Sequence, residues 1–589
     1  MTCFRGRFGE ETATDEFGAS LLLAALEADM NWAVGHIEYV EFTHAGQAYR
    51  LGRYPVHFHM LGDVTGSYVR GCGIHHTFNR AVTIHGVSNL LVERNVAYNI
   101  MGHAFFFEDG IETKNIVQYN LAIFVRPSSA HLNSDITPAA FWVTNPDNYV
   151  CHNAAAGGSH FAFWYNMPVH PGGPSYTTAI CPRNVPLLEF CNNTAHAQGW
   201  YGLWIFPTYY PMEGGGCSST LVSTPASTPV STPVSTPAEF YSLTAWQVER
   251  GAEAVEVGNV RFIDFLISDT DKAGVEFQTT QDAWGGPMLK DSTIIGWSAI
   301  TEASKAAECT DAGIKLPKSK YLTVDNVKFI NFDQDVCAAV QVCSHCKPDQ
   351  GGFHARFKNI WFYNAPNKVR WQWQHEGWLE DLDGSLSGTY PNYSILPYNP
   401  NLPPAHCVFA QPEFGNSTTP GAVCDDTVTF HRFAFNQPKP DSLLYKDALF
   451  ANQYGTSRIN YHMKRLTHME GWMVTLVDGD NYTFAFEDVD HVTNISYVGR
   501  LDDFSDGDFV VLGHNFTQVP DMVSITGDIR NSSKEVPSYE DNIHGDWHFD
   551  EEDMQLSYLG KSLLYLQLLT PLDHAYTKSY NSGACLAGV

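Results

Sequence analysis

Basic residues are scarce in this chain: 35 Lys and Arg stand against 64 Asp and Glu, a formal net charge of −29. A surface this negative repels phosphate backbones, which argues against nucleic acid as a partner. It also argues against capture of polyanions by the overall field, so an acidic glycan would need a local site. Charged residues of both signs make up only 17% of the chain. That paucity, with abundant Asn, Thr, Ser and aromatics, is the habit of all-β extracellular proteins. Helical periodicity is nearly absent. No apolar run approaches the length needed to cross a bilayer, and the longest late one, Ser562 to Leu572, contains Tyr, Gln, Thr and Pro. The amino terminus, MTCFRGRFGEE, lacks the apolar core of a signal peptide. The expectation is a piece of a larger exported protein, extracellular or at the cell surface, with membrane contact only through parts absent from this chain.

What is present fits that setting. At 589 residues the chain is too long for one ordinary core, so it holds several domains or one long repetitive one. Of 13 cysteines, Cys181 and Cys217 bracket one loop and Cys407 and Cys424 another. Cys343 and Cys346 form a CxxC with Cys309 and Cys337 upstream. These eight are disulfide candidates of an oxidising compartment. Zinc at Cys343-x-x-Cys346 is the alternative, but no second CxxC and no suitably spaced His pair accompanies it. Cys72, Cys151 and Cys191 lie in apolar strand patterns and read as buried thiols. Seven N-x-S/T sequons, at Asn192, Asn392, Asn416, Asn481, Asn494, Asn515 and Asn531, suggest a glycosylated surface.

Internal repeats point to the fold. A phrase of Asn, aliphatic, any residue, aromatic recurs at Asn95, Asn259, Asn326 and Asn359. A longer alignment anchored on Asn95 places residues 72, 120, 153 and 193 in equivalent positions of successive coils. Short strands at such spacing, with Asn at a repeated turn, describe a right-handed parallel β-helix of the pectate-lyase-like kind. Antiparallel hairpins are the alternative, disfavoured because Asn-Gly and Asp-Gly turns are scarce in this half. Residues 1–30 are then the remnant of an upstream module, and 31–375 the β-helix. A Ser/Thr/Pro-rich loop at 218–238 hangs from the helix. Residues 376–440 read as a turn-rich connector and 441–560 as a smaller antiparallel β domain. Residues 561–589 form a tail without interpretable pattern.

Strand alternation divides the coils into two faces. Val56 and Phe58 match Val82 and Ile84, Phe105 and Phe107, Phe163 and Tyr165, and Leu203 and Ile205; these are assigned inward. The outer positions are His57 and His59, Thr83 and His85, Phe106 and Glu108, Trp164 and Asn166, Trp204 and Phe206. With coils about 4.8 Å apart, His59, His85 and Glu108 would stack with Asp109 beside them. Aromatics beside hydrogen-bonding groups on an open groove suit a sugar chain. His57, His59, His85, Glu108, Trp164, Asn166 and Trp204 are accordingly the glycan-binding candidates. Three other readings stay open. Glu108, Asp109 and His85 could cleave a glycan, although adjacent residues of a strand point opposite ways. His57, His59 and His85, with Glu108, could hold a divalent metal, although no cofactor is required. The column could also be a packed ladder under a covering loop. His75-His76 reads as a polar turn edge. Asp381-x-Asp383-Gly-Ser385 reads as a tight turn rather than a calcium loop, whose closing Glu is absent. Cys151-His152 lacks a third member for a nucleophilic triad.

Several long phrases carry a resemblance: RYPVHFHMLGDVTGSYVRGC (53–72), HHTFNRAVTIHG (75–86), NLLVERNVAYNIMGHAFFFEDGIE (89–112), NAAAGGSHFAFWY (153–165) and HRFAFNQPKP (431–440). In these the chain resembles the extracellular region of fibrocystin-L-like surface receptors from about residue 35 to 560. The RYPxHFH, HHTF and EDG phrases are also similar to the wider family of the cell-migration-inducing hyaluronan-binding protein and its transmembrane hyaluronidase relative. The resemblance implies β-helix repeats, a cell-surface receptor or coat protein and, in some members, hyaluronan depolymerisation. Residues matching the shared phrases are His57, His59, His75, His76, His85, Glu108 and Asp109. The expected partner is a glycan such as hyaluronan, or other coat and matrix proteins, with glycan binding or adhesion as the role. A hyaluronan-degrading glycosidase and a purely structural coat element are the alternatives. The family's glycine-marked module and its signal or anchor lie outside this sequence, and the Ser/Thr/Pro loop departs from the pattern.

Overall fold

The computed structural model describes residues 2–5, 16–25, 33–128, 133–217, 235–298, 309–342, 353–371, 373–415, 419–461, 471–489, 495–505 and 507–515. Beyond these it describes the strand backbones at 522–527, 531–534, 547–550, 555–560 and 564–569. Among the described residues no helix is long and apolar enough to cross a membrane.

Short alternating segments fold into coils that pair in parallel with the coils above and below. One face is a twelve-stranded sheet. It runs from Leu21–Ala24 through Val56–Asp63, Val82–Ser88, Phe105–Phe107, Ala139–Val143, Phe161–Tyr165 and Tyr201–Ile205 to Val369–Arg370. A second, larger sheet wraps the remaining sides of the same coils. Parallel pairing excludes the hairpin alternative, and the chain is a parallel β-helix. The sequence offsets agree with the observed registers: Gly73, Val96, Leu121, Ala154 and Thr194 pair in succession, each one residue after an aligned anchor.

The anchors explain how register is held. Asn95, Asn120, Asn153 and Asn193 are buried, and each side-chain amide bonds to the next. Asn95 Nδ2 donates to Asn120 Oδ1 at 2.9 Å, Asn120 Nδ2 to Asn153 Oδ1 at 3.1 Å, and Asn153 Nδ2 to Asn193 Oδ1 at 3.4 Å. The same oxygens accept the backbone N–H of the preceding rung, and the same nitrogens donate to carbonyls of the preceding coil. Each rung must be donor and acceptor at once, which Asn supplies and Asp, acceptor only when ionised, does not. The residue before each rung takes the left-handed turn: Arg94 (φ 55°), Tyr119 (54°), His152 (58°) and Asn192 (49°). The recurring pentapeptide is therefore not one structural position. Asn95 is an inner rung, whereas Asn326 (φ 54°) and Asn359 (φ 55°) are themselves the left-handed corner residues.

The interior is filled by the positions assigned inward, Val56, Phe58, Val82, Ile84, Phe105, Phe107, Phe163, Tyr165, Leu203 and Ile205, all buried. Phe105, Phe141 and Phe163 stack at 4.9 Å each, close to the strand spacing itself.

Several boundaries differ from expectation. Leu21–Ala24 pairs with Val56–Asp63, and Thr2–Arg5 pairs with Val40–Thr43, so residues before 31 already belong to the helix. A coil strand at Ala139–Val143, carrying Phe141 and Trp142, sits between Phe105–Phe107 and Phe161–Tyr165. The insertion before it hid its alignment. Cys151 and Cys191 are not thiols: they face each other in register on adjacent coils and form a disulfide, which also removes Cys151 from any nucleophilic role. Cys181–Cys217, Cys309–Cys337 and Cys407–Cys424 are disulfides, and Cys72 is a buried free thiol. Cys343, Cys346 and residues 218–234 of the Ser/Thr/Pro loop lie outside the described residues.

Residues 376–440 are more than a connector. Gly377–Asp381 is a further parallel strand of the helix, and Tyr393–Pro397, Cys407–Gln411 and Gly421–Cys424 extend the same sheet antiparallel. Asp381 accepts bonds from Leu386 and Ser387, and Asp383 from Ser385, which makes this segment a hydrogen-bonded turn. The following domain comprises two six-stranded sheets around Phe433, Phe435, Phe450, Trp472, Phe484, Phe486 and Tyr497. It starts at Phe430–Lys439, earlier than 441, and Leu564–Leu569 of the expected tail adds a strand.

Replacing Asn120 by Ala removes the side-chain acceptor of the Asn95 N–H and the side-chain donor to Val92 C=O, and takes one bond each from Asn95 Nδ2 and Asn153 Oδ1 in the interior. Unpaired buried groups cost about 1–3 kcal/mol each. Asn120→Ala is expected to lower the unfolding free energy by at least about 2 kcal/mol, read from the denaturant midpoint; an unchanged midpoint contradicts the ladder's role.

Candidate functional site

One outward row of the twelve-stranded sheet can be followed strand by strand. His57 pairs with Thr83, then Phe106, Trp142, Trp164 and Trp204, and then Glu253, Glu276, Lys315, Gln341 and Arg370. A second row begins with His59 opposite His85. Glu108 continues it, its N–H bonded to Ile84 O. The row thus passes from imidazoles through stacked rings to charged side chains.

The imidazole end is tightly organised. His59 Nδ1 lies 3.0 Å from His85 Nδ1, and His85 Nε2 lies 2.9 Å from Asp109 Oδ2. Glu108 Oε2 is 3.2 Å from His85 Nδ1 and 4.0 Å from His57 Nε2. His57 Nδ1 bonds Gly52 O at 3.0 Å. Glu108 and Asp109, expected to point apart, instead face the two edges of one imidazole, because the strand ends at Phe107 and the chain turns. His57, His85 and Asp109 are buried, while His59 and Glu108 are partly open to solvent.

Burial keeps His57 neutral, with its pKa lowered to about 3. Burial alone would raise Asp109, but hydrogen bonds from His85 and Ser175 outweigh it and hold the carboxyl low. Burial raises Glu108, against the pull of His85 and Arg80. Burial opposes a proton on His85, yet the Asp109 and Glu108 carboxylates prevail and raise its pKa. An imidazole flanked by two carboxylates can carry a proton between them, orient a bound group, or bind a cation.

Residues that sequence reading passed over hold this cluster. Arg80 is wholly buried, paired with Asp135 at 2.9 Å and set 3.6 Å over the Phe106 ring. Its Nη1 donates to Tyr54 Oη at 3.1 Å, and Tyr54 donates to Glu108 Oε1 at 3.3 Å. Buried Glu112 accepts the N–H groups of Gly86, Asp109 and Gly110 and fixes the turn that aims Asp109. Ser175, on a separate loop, donates to Asp109 Oδ2 at 2.6 Å. The EDGIE phrase contained Glu112, but no local pattern distinguished it; Arg80, Asp135 and Ser175 meet the site only through the fold.

The aromatic stretch is not the open groove expected. Trp164 is 5% exposed and packs with Phe106, Trp142 and Phe161. Rings in adjacent coils fall within stacking distance, 4.5 Å from Trp142 to Trp164 and 4.6 Å from Trp164 to Trp204, and so cover one another. Trp164 is therefore a packing residue. Asn166 and Trp204 are half-buried at the margin, and Trp200 (39%) and Phe206 (36%) are exposed beside them. Trp204 and Phe206 stack at 4.5 Å. Elsewhere, His75 sits on the other sheet, bonded to Glu41 and to its neighbour His76. Asn192, Asn392, Asn481 and Asn515 are exposed, as acceptor asparagines must be; Asn416, Asn494 and the Asn531 side chain lie outside the described residues.

Residues 17–203 match the family model for the CEMIP beta-helix, a span that contains the whole imidazole and carboxylate cluster. The chain is 46% identical over 571 residues to fibrocystin-L of Homo sapiens, covering 95% of this chain and 13% of that protein. It spans, then, about one eighth of that relative's length. Cell surface hyaluronidase CEMIP2 of Homo sapiens is 34% identical over 224 residues, 32% of this chain and 16% of the relative. The human cell migration-inducing and hyaluronan-binding protein is 34% identical over 225 residues, 32% of this chain and 16% of the relative.

Arg80→Met removes one partner of a buried pair and leaves Asp135 uncompensated. The expected loss of stability is about 3–5 kcal/mol, measured by chemical denaturation. A loss below about 1 kcal/mol shows that the pair does not hold the site.

Proposed function

We propose that this chain, similar over 95% of its length to a part of fibrocystin-L, is an extracellular, cell-surface β-helix that binds a glycan on the outer face of its twelve-stranded sheet. The observation carrying this reading is the exposed margin of the aromatic row. Trp200 and Phe206 are exposed and Trp204 half-buried, with the half-buried amide of Asn166 at the same margin. Aromatic faces cover the C–H faces of sugars, and polar side chains beside them, here the half-buried Asn166, meet their hydroxyls. Between His57 and Trp204 the row passes through Phe106, Trp142 and Trp164, which are buried, so the part of the row open to a ligand is its margin at Trp200, Trp204 and Phe206. Beyond Trp204 it continues into Glu253 and Glu276, with Arg250 bonded to Glu276 at 2.7 Å and to Tyr201 Oη at 2.9 Å. The CEMIP beta-helix family model spans the imidazole cluster and Trp200, and relatives named for hyaluronan are similar to about a third of this chain, which supports a hyaluronan-like ligand.

A second reading is favoured by one arrangement, the two carboxylates on opposite edges of His85. Such a group can shuttle a proton, and glycan cleavage then becomes the activity. A purely structural coat element is the third.

Titration of the purified protein with hyaluronan oligosaccharides separates these. Binding is expected, weakened roughly 3- to 10-fold in Trp204→Ala and in Phe206→Ala, and unchanged in Tyr119→Ala, whose exposed ring stacks on His152 on the other sheet. No binding by the unaltered chain, or equal binding by the Trp204 and Phe206 variants, contradicts the proposal. Shortening of high-molecular-weight hyaluronan that is lost in His85→Ala would replace binding by cleavage.

A further inference from the structure

We propose that His57, His59, His85 and Glu108 form a binding site for one divalent transition metal ion of the zinc class. The inference stands on the geometry of the cluster and is independent of the glycan reading.

The three imidazoles each offer a ring nitrogen, and these nitrogens lie within 4.8 Å of one another. Two of them have their tautomer set by a group behind the ring. Gly52 O, at 3.0 Å, accepts the proton of His57 Nδ1, so His57 Nε2 presents a lone pair. Asp109 Oδ2, at 2.9 Å, accepts the proton of His85 Nε2, so in the neutral ring His85 Nδ1 presents a lone pair. Asp109 is itself steadied by Ser175 at 2.6 Å. A carbonyl or carboxylate behind each imidazole is the arrangement that orients metal-ligating histidines.

The atoms in front are acceptors without enough donors. His57 Nε2 is buried, on a side chain only 3% exposed, and has no hydrogen-bond partner. Glu108 Oε2 is also buried without a hydrogen bond, although it lies 3.2 Å from His85 Nδ1. Its other oxygen is engaged by Tyr54. His59 Nδ1 faces His85 Nδ1 at 3.0 Å, where one proton at most can lie between them. Buried acceptors facing one another are costly, and the cost disappears when a cation occupies the space they share.

Three imidazoles and one carboxylate select the ion. Nitrogen donors disfavour calcium and magnesium, which take oxygen, and suit zinc and its first-row neighbours. Three nitrogens, with the Glu108 oxygen beside those of His57 and His85, supply four donors, the number a tetrahedral zinc shell takes. Binding requires His59 to release its Nδ1 proton, which its partly exposed ring can carry on Nε2 instead. Among the described residues the other groupings of this kind use Cys181 with Cys217 and Cys151 with Cys191, whose sulfurs are consumed by disulfides.

The test uses the whole chain, stripped with a chelator, dialysed and titrated with Zn²⁺ by calorimetry; Co²⁺ replaces zinc for visible spectroscopy. One equivalent of Zn²⁺ per chain is expected, with a raised melting temperature and a cobalt spectrum of tetrahedral intensity. His59→Ala should weaken affinity at least 100-fold, and Asp109→Asn, which disturbs only the orientation of His85, roughly 10- to 100-fold. His75→Ala, on the other sheet, should leave it unchanged. If circular dichroism shows that His59→Ala does not fold, Glu108→Gln serves instead and should weaken binding at least 10-fold. Absence of stoichiometric uptake by the unaltered protein overturns the proposal and assigns the space to a proton on His85. Uptake of undiminished affinity in the folded His59 or Glu108 variant overturns it as well.

Discussion

Hydrogen bonding between parallel coils holds each strand about 4.8 Å from the next and pairs residues across that gap. Everything displayed on the twelve-stranded sheet depends on this register. Residues 26 positions apart, His59 and His85, become neighbours only because Val56 lies opposite Val82 and Phe58 opposite Ile84. A slip by one residue would turn every imidazole inward and every core side chain outward. The asparagine ladder makes such a slip expensive. Each amide rung bonds the backbone and side chain of the adjacent coil, so a displaced rung loses both. Stacked phenylalanines repeat the same spacing inside and the tryptophan row repeats it outside.

On that scaffold, position along the helix decides chemistry. The same outward row is polar at His57, apolar at Phe106 and Trp142, and charged at Glu253 and Glu276. Where large rings occupy successive coils they bury one another, and the surface becomes a second small core. Imidazoles and carboxylates in successive coils cannot behave this way. They retain unmatched lone pairs, and the chain surrounds them with second partners: Gly52 and Asp109 behind the rings, Tyr54 and Arg80 behind Glu108. Arg80, wholly buried between Asp135 and the Phe106 ring, ties the polar end of the row to the apolar stretch.

Much of this was legible because repetition is a one-dimensional signal. The spacing of Asn95, Asn120, Asn153 and Asn193 gave the register, and alternation gave the two faces. What escaped had physical causes. The Ala139–Val143 coil was displaced by the insertion before it. The pentapeptide at Asn326 and Asn359 looks like that at Asn95, yet a left-handed corner and an amide rung both favour asparagine for different reasons. The Cys151–Cys191 bond needed the register that makes them opposite. The closure of Trp164 and the convergence of Glu108 and Asp109 on one ring depend on side-chain size and on where a strand ends, neither of which alternation records. Arg80, Asp135 and Ser175 reach the cluster from elsewhere in the coil or from a loop, with no periodic mark.

The register itself can be tested without any ligand. Cys151 and Cys191, opposite each other on adjacent coils with Cα atoms 4.6 Å apart, show that in-register neighbours can be bridged. Oxidation of a His59→Cys, His85→Cys double variant, followed by peptide mapping, measures whether those two positions are neighbours in solution. The account predicts a 59–85 disulfide formed within the folded chain. Two thiols that remain unjoined in the folded protein, or that pair only between molecules, would contradict it.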